Sequence, residues 1–262
     1  IWHDDVSGKM LFQMLQRAAQ RGVRVRLLLD DNNTRGMDDV LAALDAEDNI
    51  EIRLFNPFPH RKVRALGYLT DFPRLNRRMH NKSLTADNQY TIVGGRNIGD
   101  EYFNVTTDIG FADLDVLAKG EVAEDVSRDF DRYWASGSSY PFFSIAPRAD
   151  AEKGRLKLHR SRRDDAEIRA SYLDELAASP LAAAISEGNV PWQYADARLI
   201  SDDPAKGLAR DKELPAIADS LLEALGKPEK DVFIVSPYFV PSKWGMAALR
   251  DLTANNVKVT VL

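Results

Sequence analysis

One stretch of the chain combines a histidine, a lysine, a carboxylate and paired glycines at spacings that suit phosphoryl-group transfer. His80 is followed by Lys82, then by Asp87, and after six further residues by Gly94-Gly95-Arg96-Asn97. Side chains two positions apart on a strand share one face, so His80 and Lys82 are expected to point the same way. A neutral imidazole can attack phosphorus and later leave, which divides a phosphodiester exchange into two steps through a phosphohistidine.

The residues around this histidine suit a phosphate ligand. Lys82 would place positive charge where the non-bridging oxygens gain negative charge in the transition state. Gly95 lets the backbone approach a phosphate closely, and the Asn97 amide can donate a hydrogen bond without adding charge. The chemistry requires no cofactor, and the acidic pairs elsewhere border predicted strands, where acidic turns are common. We therefore expect neither a metal site nor a cofactor.

These residues resemble the signature of the phospholipase D superfamily, in which His-x-Lys-x4-Asp is followed by Gly-Gly or Gly-Ser and then Asn. More narrowly, the segment from Gly94 to Phe103, Asp113-Leu-Asp-Val and Ser236-Pro-Tyr-Phe-Val-Pro241 are similar to bacterial cardiolipin synthases. The resemblance covers essentially the whole chain. It implies that His80 is the nucleophile or its acid/base partner and that Lys82 and Asn97 bind the phosphate.

The resemblance also assigns two acidic residues. Asp113 sits where the family places an acid that hydrogen-bonds and orients the histidine. Asp87 belongs to the signature, but it falls in a predicted hairpin turn, where an aspartate commonly caps its own backbone. A catalytic role and a structural role are both open for Asp87.

Members of this family use two such motifs, one histidine attacking and the other protonating the leaving group. None of the other histidines, His3, His60 and His159, begins a second His-x-Lys-x4-Asp. A missing C-terminal part could supply the second motif, two chains could pair their motifs across a two-fold axis, or the chain could be inactive.

A partial internal repeat favours the first of these routes. Val23 and Val25 correspond to Val257 and Val259, 234 residues later, and both copies read as helix, stop and Val-rich strand. The second copy ends at its strand. We therefore expect a fragment whose second motif lies beyond Leu262 and which by itself has a phosphate site with little or no turnover.

Helical and strand patterns alternate at short spacing, which predicts an α/β fold. The resemblance implies a phospholipase-D-type α/β/α sandwich with a mixed sheet. We expect a first half over residues 1–147, a charged connector over 148–189 and the start of a pseudo-symmetric second half over 190–262. The patterns predict helices over Val6–Gln20 and Gly120–Ala135 and strands over Val23–Asp30, Ile50–Phe55, Met79–Thr85 and Gln89–Val93.

The composition narrows the function classes. The absence of cysteine excludes disulfides, thiolate metal sites and a cysteine nucleophile. The net charge of −5 is uneven, because the segment 56–82 carries +6 and the rest of the chain −11. This basic island interleaves cations with aromatic residues, which suits a segment lying among anionic headgroups. The residues expected to contact membrane or headgroups are Arg61, Lys62, Arg64, Arg77 and Arg78, with a surface loop or a nucleic-acid patch as the alternatives.

The resemblance implies a bacterial phosphatidyltransferase that is peripheral on the cytoplasmic membrane. It would make cardiolipin from phosphatidylglycerol and a second phospholipid, phosphatidylethanolamine or phosphatidylglycerol. One alternative is a phospholipase-D-type phosphodiesterase or nuclease acting as a dimer, but the overall acidity argues against a nucleic-acid partner, since polynucleotide binders tend to be broadly basic. The other is a non-catalytic lipid-binding module, for which His80→Ala would leave function untouched.

Overall fold

The computed structural model describes residues 1–61, 63–103, 105, 110–111, 113–160, 163–208, 217–236, 239–241 and 243–262. The chain divides into two compact units. The first comprises Ile1–Leu199 with Asp203–Lys212, and the second comprises Ile200–Asp202 with Glu213–Leu262.

The first unit alternates helices and strands and then ends in a run of helices. Its first elements are α1 (Val6–Gln20), β1 (Val25–Asp30), α2 (Asp38–Asp45), β2 (Ile50–Phe55) and α3 (Arg64–Leu75). Next come β3 (Ser83–Ala86), β4 (Tyr90–Gly94), β5 (Asp115–Lys119), α4 (Glu121–Trp134), β6 (Ser139–Pro141) and α5 (Phe142–Ile145). The run consists of α6 (Ala151–His159), α7 (Arg163–Ala178) and α8 (Pro180–Ser186).

Two three-stranded sheets organise the first unit. In one sheet β1 runs parallel to β2, and β6 joins β2 in the antiparallel direction, in the order β1-β2-β6. The other sheet is an antiparallel meander, β3-β4-β5, in which Ser83 lies opposite Val93 and Gly94 opposite Asp115. The expected α/β fold with a mixed sheet is therefore confirmed.

The core lies where α2 packs against β2 and α6. All five residues from Val40 to Leu44 are buried, because neighbouring elements cover α2 on several sides. Gly154 of α6 comes so close to α2 that a Cβ atom there would lie 1.8 Å from the Asp39 carbonyl oxygen. Leu158 of α6 is buried, and its carbonyl accepts a hydrogen bond from Gln13 Nε2 at 2.7 Å. The charged segment expected to be a connector thus contributes a helix to the core.

The second unit is built around one strand–helix–strand arrangement. It contains α9 (Ile217–Leu225), β7 (Asp231–Ile234), α10 (Lys243–Ala254) and β8 (Lys258–Val261). The strands β7 and β8 pair in parallel, with Asp231 opposite Lys258. Within the described part of the chain, none of the helices combines the length and apolar character that crossing a bilayer requires.

Candidate active site

His80 and Lys82 lie on the short segment between α3 and β3. The predicted strand over 79–85 begins only at Ser83, so both residues precede the strand ladder. Their side chains nevertheless meet, because Lys82 Nζ lies 3.0 Å from His80 Nδ1 and donates to the His80 carbonyl oxygen at 2.7 Å. The two residues with the strongest claim to chemistry are therefore in direct contact.

Burial and the charge of Lys82 both lower the pKa of His80. Both effects disfavour the imidazolium form, so a neutral ring predominates at pH 7. Burial also lowers the pKa of Lys82, an effect partly opposed by the negative charges of Asp113 and Asp30. Because an ammonium group can only donate, the hydrogen bond from Lys82 makes Nδ1 an acceptor and places the imidazole proton on Nε2.

The two glycines of the motif make room for two aspartates, one that begins β5 and one that lies two residues before it. A Cβ atom at Gly94 would lie 1.9 Å from Asp115 Oδ1, and one at Gly95 would lie 2.5 Å from Asp113 Oδ1. Both distances are below any tolerated contact, so a side chain at either glycine would force the carboxylate or the backbone to shift. The sequence pattern related these glycines to phosphate, whereas the structure gives them an additional packing role.

Asp113 interacts electrostatically with Lys82 and is not hydrogen-bonded to His80 within the described part of the chain. Its Oδ1 accepts a hydrogen bond from the Leu114 amide at 2.8 Å. Among the described residues no hydrogen bond joins Asp113 to His80, although the charge of Asp113 raises the pKa of Lys82. The role of Asp113 in orienting the imidazole stays a prediction.

Arg96 and Asn97 fix the loop that follows the glycines. Arg96 Nε donates to Asp115 Oδ2 at 2.6 Å, and its guanidinium also reaches the carbonyl oxygens of Tyr102 and Asp113. Asn97 is buried, and its Nδ2 donates to the Tyr102 hydroxyl at 2.7 Å, while its Oδ1 has no hydrogen-bond partner among the described residues. The amide that was predicted to bind phosphate is already used within the loop, so phosphate binding by Asn97 stays a prediction.

Asp87 lies at the opposite end of the β3–β4 hairpin from His80. Asp87 has a φ of 54° and its neighbour Asn88 a φ of 57°. These two residues in the left-handed conformation form the turn of the hairpin. Ser127 Oγ of α4 donates a hydrogen bond to Asn88 Oδ1 at 2.6 Å, which holds the turn against that helix. At about 3.3 Å per strand residue, Asp87 is roughly 16 Å along the chain from Lys82. This placement favours the structural alternative for Asp87.

The basic island forms an internal network of ion pairs. Arg61 Nη1 lies 2.6 Å from Asp31 Oδ1, and Arg64 Nη2 lies 3.3 Å from the same oxygen. Arg78 Nη2 lies 2.6 Å from Asp30 Oδ1, and Arg77 Nη1 donates to the Lys206 carbonyl at 2.9 Å. The side chains of Arg61, Arg64 and Arg78 are only 10%, 11% and 17% exposed. These predicted headgroup contacts are thus turned into the protein, and Lys62 lies outside the described residues.

An apolar row, in contrast, faces outward beside this network. It consists of Val63, Leu66, Leu69 and Phe72, of which Leu69 is 82% exposed. The spacing of three residues could have revealed a helical face, but the charges of the segment obscured it. The arginines expected at the surface are therefore largely buried, and apolar side chains of the same segment are exposed.

Asp30 is a residue near the site whose contacts the sequence did not reveal. It ends β1, its side chain is 6% exposed, and its Oδ2 accepts a hydrogen bond from the Met79 amide at 2.8 Å. The sequence indicated only an acidic turn after a strand. Acidic residues at the carboxyl end of a parallel strand commonly face a ligand crevice. The position of Asp30 at the end of a predicted strand was therefore the feature of the sequence that could have indicated its place near the site.

One described group has the side-chain types of a metal site. The ligand atoms of His3, Asp5 and Glu101 lie within 4.8 Å of one another. Both Asp5 oxygens already accept backbone hydrogen bonds, from Gly8 at 2.9 Å and from Asp100 at 2.8 Å. Asp5 thereby caps α1 and ties it to the loop after β4, which gives this group a structural explanation.

Comparisons with known proteins identify the family of the chain. Residues 5–134 match the family model described as "Cardiolipin synthase, PLD-like domain". The chain is 48% identical over 263 residues to cardiolipin synthase C of Escherichia coli (strain K12), a match covering 100% of this chain and 55% of that protein. It is 25% identical over 265 residues to cardiolipin synthase A of Pseudomonas putida (strain KT2440), covering 100% of this chain and 44% of that protein.

A solved structure shares the fold. The phosphatidylserine synthase of Haemophilus influenzae Rd KW20 superposes with a TM-score of 0.55 and 15% sequence identity, covering 100% of this chain and 54% of that one. The family match over residues 5–134 and this shared fold together define a phospholipase-D-like α/β domain. More particularly, the chain belongs to the phospholipase-D-like domains of the cardiolipin synthase family. It spans about half the length of the curated relatives it matches.

Proposed function

We propose that the protein containing this chain is a phosphatidyltransferase that makes cardiolipin from phosphatidylglycerol and a second phospholipid, phosphatidylethanolamine or phosphatidylglycerol. The observation that carries the proposal is the contact between a neutral His80 and Lys82, at 3.0 Å, in a chain 48% identical to a cardiolipin synthase. A neutral imidazole beside a cation is what attack on an anionic phosphodiester requires.

The first step would transfer the phosphatidyl group to the protein. The phosphate oxygens attract the Lys82 ammonium away from His80 Nδ1, which frees the ring to change tautomer. Nε2 then attacks phosphorus, the bond to the headgroup oxygen breaks, and the leaving alkoxide takes a proton from a second acid. Asp113, released from its position near Lys82, would accept a hydrogen bond from Nδ1 and stabilise the positive charge that develops on the ring.

The second step would return the histidine to its starting state. A hydroxyl of phosphatidylglycerol attacks phosphorus, the same second group removes its proton, and the P–N bond breaks to give cardiolipin. Exclusion of water favours this transfer over hydrolysis. Both steps need a second proton-transferring group, for which this chain contains no second motif.

We propose that a second His-x-Lys-x4-Asp motif, in a C-terminal half of the same protein, supplies that group. The relatives are about twice as long as this chain, which leaves room for such a half. The chain by itself would then bind phosphate with little or no turnover. Pairing of two chains across a two-fold axis is the competing arrangement.

The decisive experiment compares the full-length protein with this chain. Each is incubated with vesicles of phosphatidylglycerol, with and without phosphatidylethanolamine, and cardiolipin is measured by mass spectrometry. We expect cardiolipin from the full-length protein only, and none from its His80→Ala variant. Metal-independent DNA cleavage without cardiolipin would establish the nuclease alternative instead. Vesicle binding without cardiolipin synthesis, unchanged in His80→Ala, would establish a non-catalytic lipid-binding module.

We also propose that the protein acts at the surface of the bacterial cytoplasmic membrane as a peripheral protein. The apolar row of α3 supports this proposal, since exposed apolar side chains on an amphipathic helix enter the headgroup region. The ion-paired arginines behind the row would stabilise α3 and would not be the first residues to contact the membrane.

Leu69→Ser tests the membrane proposal. We expect it to reduce flotation with phosphatidylglycerol-containing vesicles several-fold while leaving the melting temperature unchanged, because Leu69 is 82% exposed. Leu156→Ser is the matched control, because Leu156 is 75% exposed on α6. Equal losses in the two variants would contradict a specific role for the apolar row.

A further inference from the structure

Asp30 collects hydrogen bonds from the two residues immediately before His80. Its Oδ2 accepts from the Met79 amide at 2.8 Å, and its Oδ1 accepts from Arg78 Nε and Nη2 at 2.9 and 2.6 Å. Oδ1 also accepts from the Asn32 amide at 2.8 Å. The carboxylate is buried at the end of β1, so a rigid strand holds its position.

The segment that Asp30 holds has little other regular structure. α3 ends at Leu75, and the ladder with β4 begins only at Ser83. His80 therefore lies between two elements on a connecting segment. A buried charged acceptor is a strong anchor for such a segment, because charge-assisted hydrogen bonds are stronger and better oriented than neutral ones.

We propose that Asp30 is a positioning residue for the phosphoryl-transfer chemistry of His80. By fixing Arg78 and the Met79 amide, it sets the direction in which the imidazole presents itself to the phosphate of a phospholipid. The inference rests on the proposed function, because it concerns the same histidine. Attack on phosphorus depends steeply on such alignment, and a displacement of about 1 Å can lower a rate about 100-fold.

Asp30 also acts electrostatically on the site. Its negative charge raises the pKa of His80 and of Lys82, against the lowering caused by burial. Loss of the charge would therefore lower the pKa of His80 further, in addition to loosening the segment. A purely structural acid elsewhere in the core would have neither effect.

The adjacent Asp31 shows that the arrangement is specific to Asp30. Asp31 is also buried, but its oxygens bind the Phe58 amide at 2.7 Å and Arg61 Nη1 at 2.6 Å. These contacts fix the segment that enters α3. The two neighbouring carboxylates therefore hold different parts of the chain, and only Asp30 holds the residues next to His80.

The test uses Asp30→Asn in the full-length protein, with phosphatidylglycerol vesicles as substrate. We expect kcat to fall about 10- to 100-fold, while KM changes less than about threefold. In this 262-residue chain, NMR titration of the imidazole protons should show a lower pKa for His80 than in the unaltered chain. His80→Ala identifies the His80 signal among the four histidines.

Asp45→Asn is the matched control. Asp45 is a half-buried acid that accepts a hydrogen bond from the Ile52 amide at 2.6 Å, but it ends α2 and its described hydrogen bond holds β2 and not the segment of His80. We expect this variant to keep the kcat and the His80 pKa of the unaltered protein. Equal losses of kcat in the two variants would overturn the proposal, because they would indicate a general effect of weakening the fold.

A second variant guards against simple unfolding. Asp30→Leu combined with Arg78→Met replaces the buried ion pair by apolar side chains of similar size, which proteins commonly tolerate. We expect this variant to fold by circular dichroism and to lose kcat as Asp30→Asn does. A folded double variant with unaltered kcat would overturn the positioning role.

The NMR readout separates failure of this inference from failure of the proposed function. If the unaltered full-length protein makes no cardiolipin, the proposed function fails. The His80 pKa and the affinity of this chain for orthovanadate, a phosphate analogue, then still test the placement of His80. An unchanged His80 pKa and unchanged vanadate affinity in Asp30→Asn would overturn the inference in either case.

Discussion

A helix, a left-handed stop and a strand occur in this order near the beginning of the first unit and again at the end of the second. Gly22 follows the end of α1 with a φ of 92°, and Asn256 follows the end of α10 with a φ of 60°. The Val23 amide donates to the Ala18 carbonyl at 3.1 Å, and 234 residues later the Val257 amide donates to the Leu252 carbonyl at 3.0 Å. The repeat suggested by a few matching residues thus extends to the hydrogen bonds of the helix end.

The two copies differ in what their strands hold. β1 ends at Asp30, which binds the backbone 49 residues later and so anchors the segment that carries His80. No such partner is described for β8, whose strand pairs with β7. The local turn is therefore reproduced by a short sequence alone, whereas the placement of His80 depends on distant residues that the first strand holds.

The largest expected effect follows from replacing His80, which lies on the segment held by the first copy. His80→Ala in the full-length protein should lower cardiolipin synthesis about 1,000-fold or more, because it removes the attacking group. The exposed His159, at the end of α6, provides the control. Cardiolipin synthesis by His159→Ala should match that of the unaltered protein, and an equal loss in both variants would remove His80 from the mechanism.

Lys82→Met should lower kcat about 100- to 1,000-fold, since it removes a cation from the developing charge. It should also raise the pKa of His80, because the charge of Lys82 lowers that pKa in the native site. Activity should therefore rise with pH through the His80 pKa, which lies below its ordinary value of about 6.5, and this limb should move to higher pH in the variant. The pH–rate profile and an NMR titration check the two directions, and a limb that moves to lower pH would contradict the assignment.

Gly95→Ala should have an intermediate effect on the same site. The new Cβ atom would come within 2.5 Å of Asp113 Oδ1, so the carboxylate or the backbone must move. We expect about a 10-fold loss of kcat together with a destabilisation below about 1 kcal/mol, because Gly95 and Asp113 are exposed and the carboxylate can turn towards solvent. The urea-unfolding midpoint and the kcat are the measurements, and an unaffected kcat would show that Asp113 is not needed where the structure places it.

The smallest effects concern the part that the two copies share. Gly22→Ala should destabilise the first unit by about 1 kcal/mol, because alanine resists a positive φ. Asn256→Gly should stabilise the second copy by a few tenths of a kcal/mol to about 1 kcal/mol for the converse reason. Thermal unfolding measures both, and changes of the same sign would contradict a common left-handed stop.

Much of the framework could be predicted from local patterns. The predicted helix over Val6–Gln20 and the predicted strand over Ile50–Phe55 have the bounds observed, and the β3–β4 hairpin forms around the expected turn. Apolar periodicity and stop residues define these elements because both act within a few residues. The start of β3 was predicted four residues too early. The pairing with β4, which begins at Ser83, sets this boundary, and the residue pattern of the segment itself does not show it.

The sequence alone determined the chemistry available to this protein: the His80–Lys82 pair, the glycines that follow and the family to which they belong. Only the tertiary structure decided how that chemistry is held. It turned the arginines of the basic island inward to Asp30 and Asp31, exposed the apolar row of α3 and placed Asp87 at the far end of its hairpin. The physical reason is that these contacts join residues tens of positions apart. The order of strands in the sheet brings such residues together, and that order leaves no local pattern in the chain.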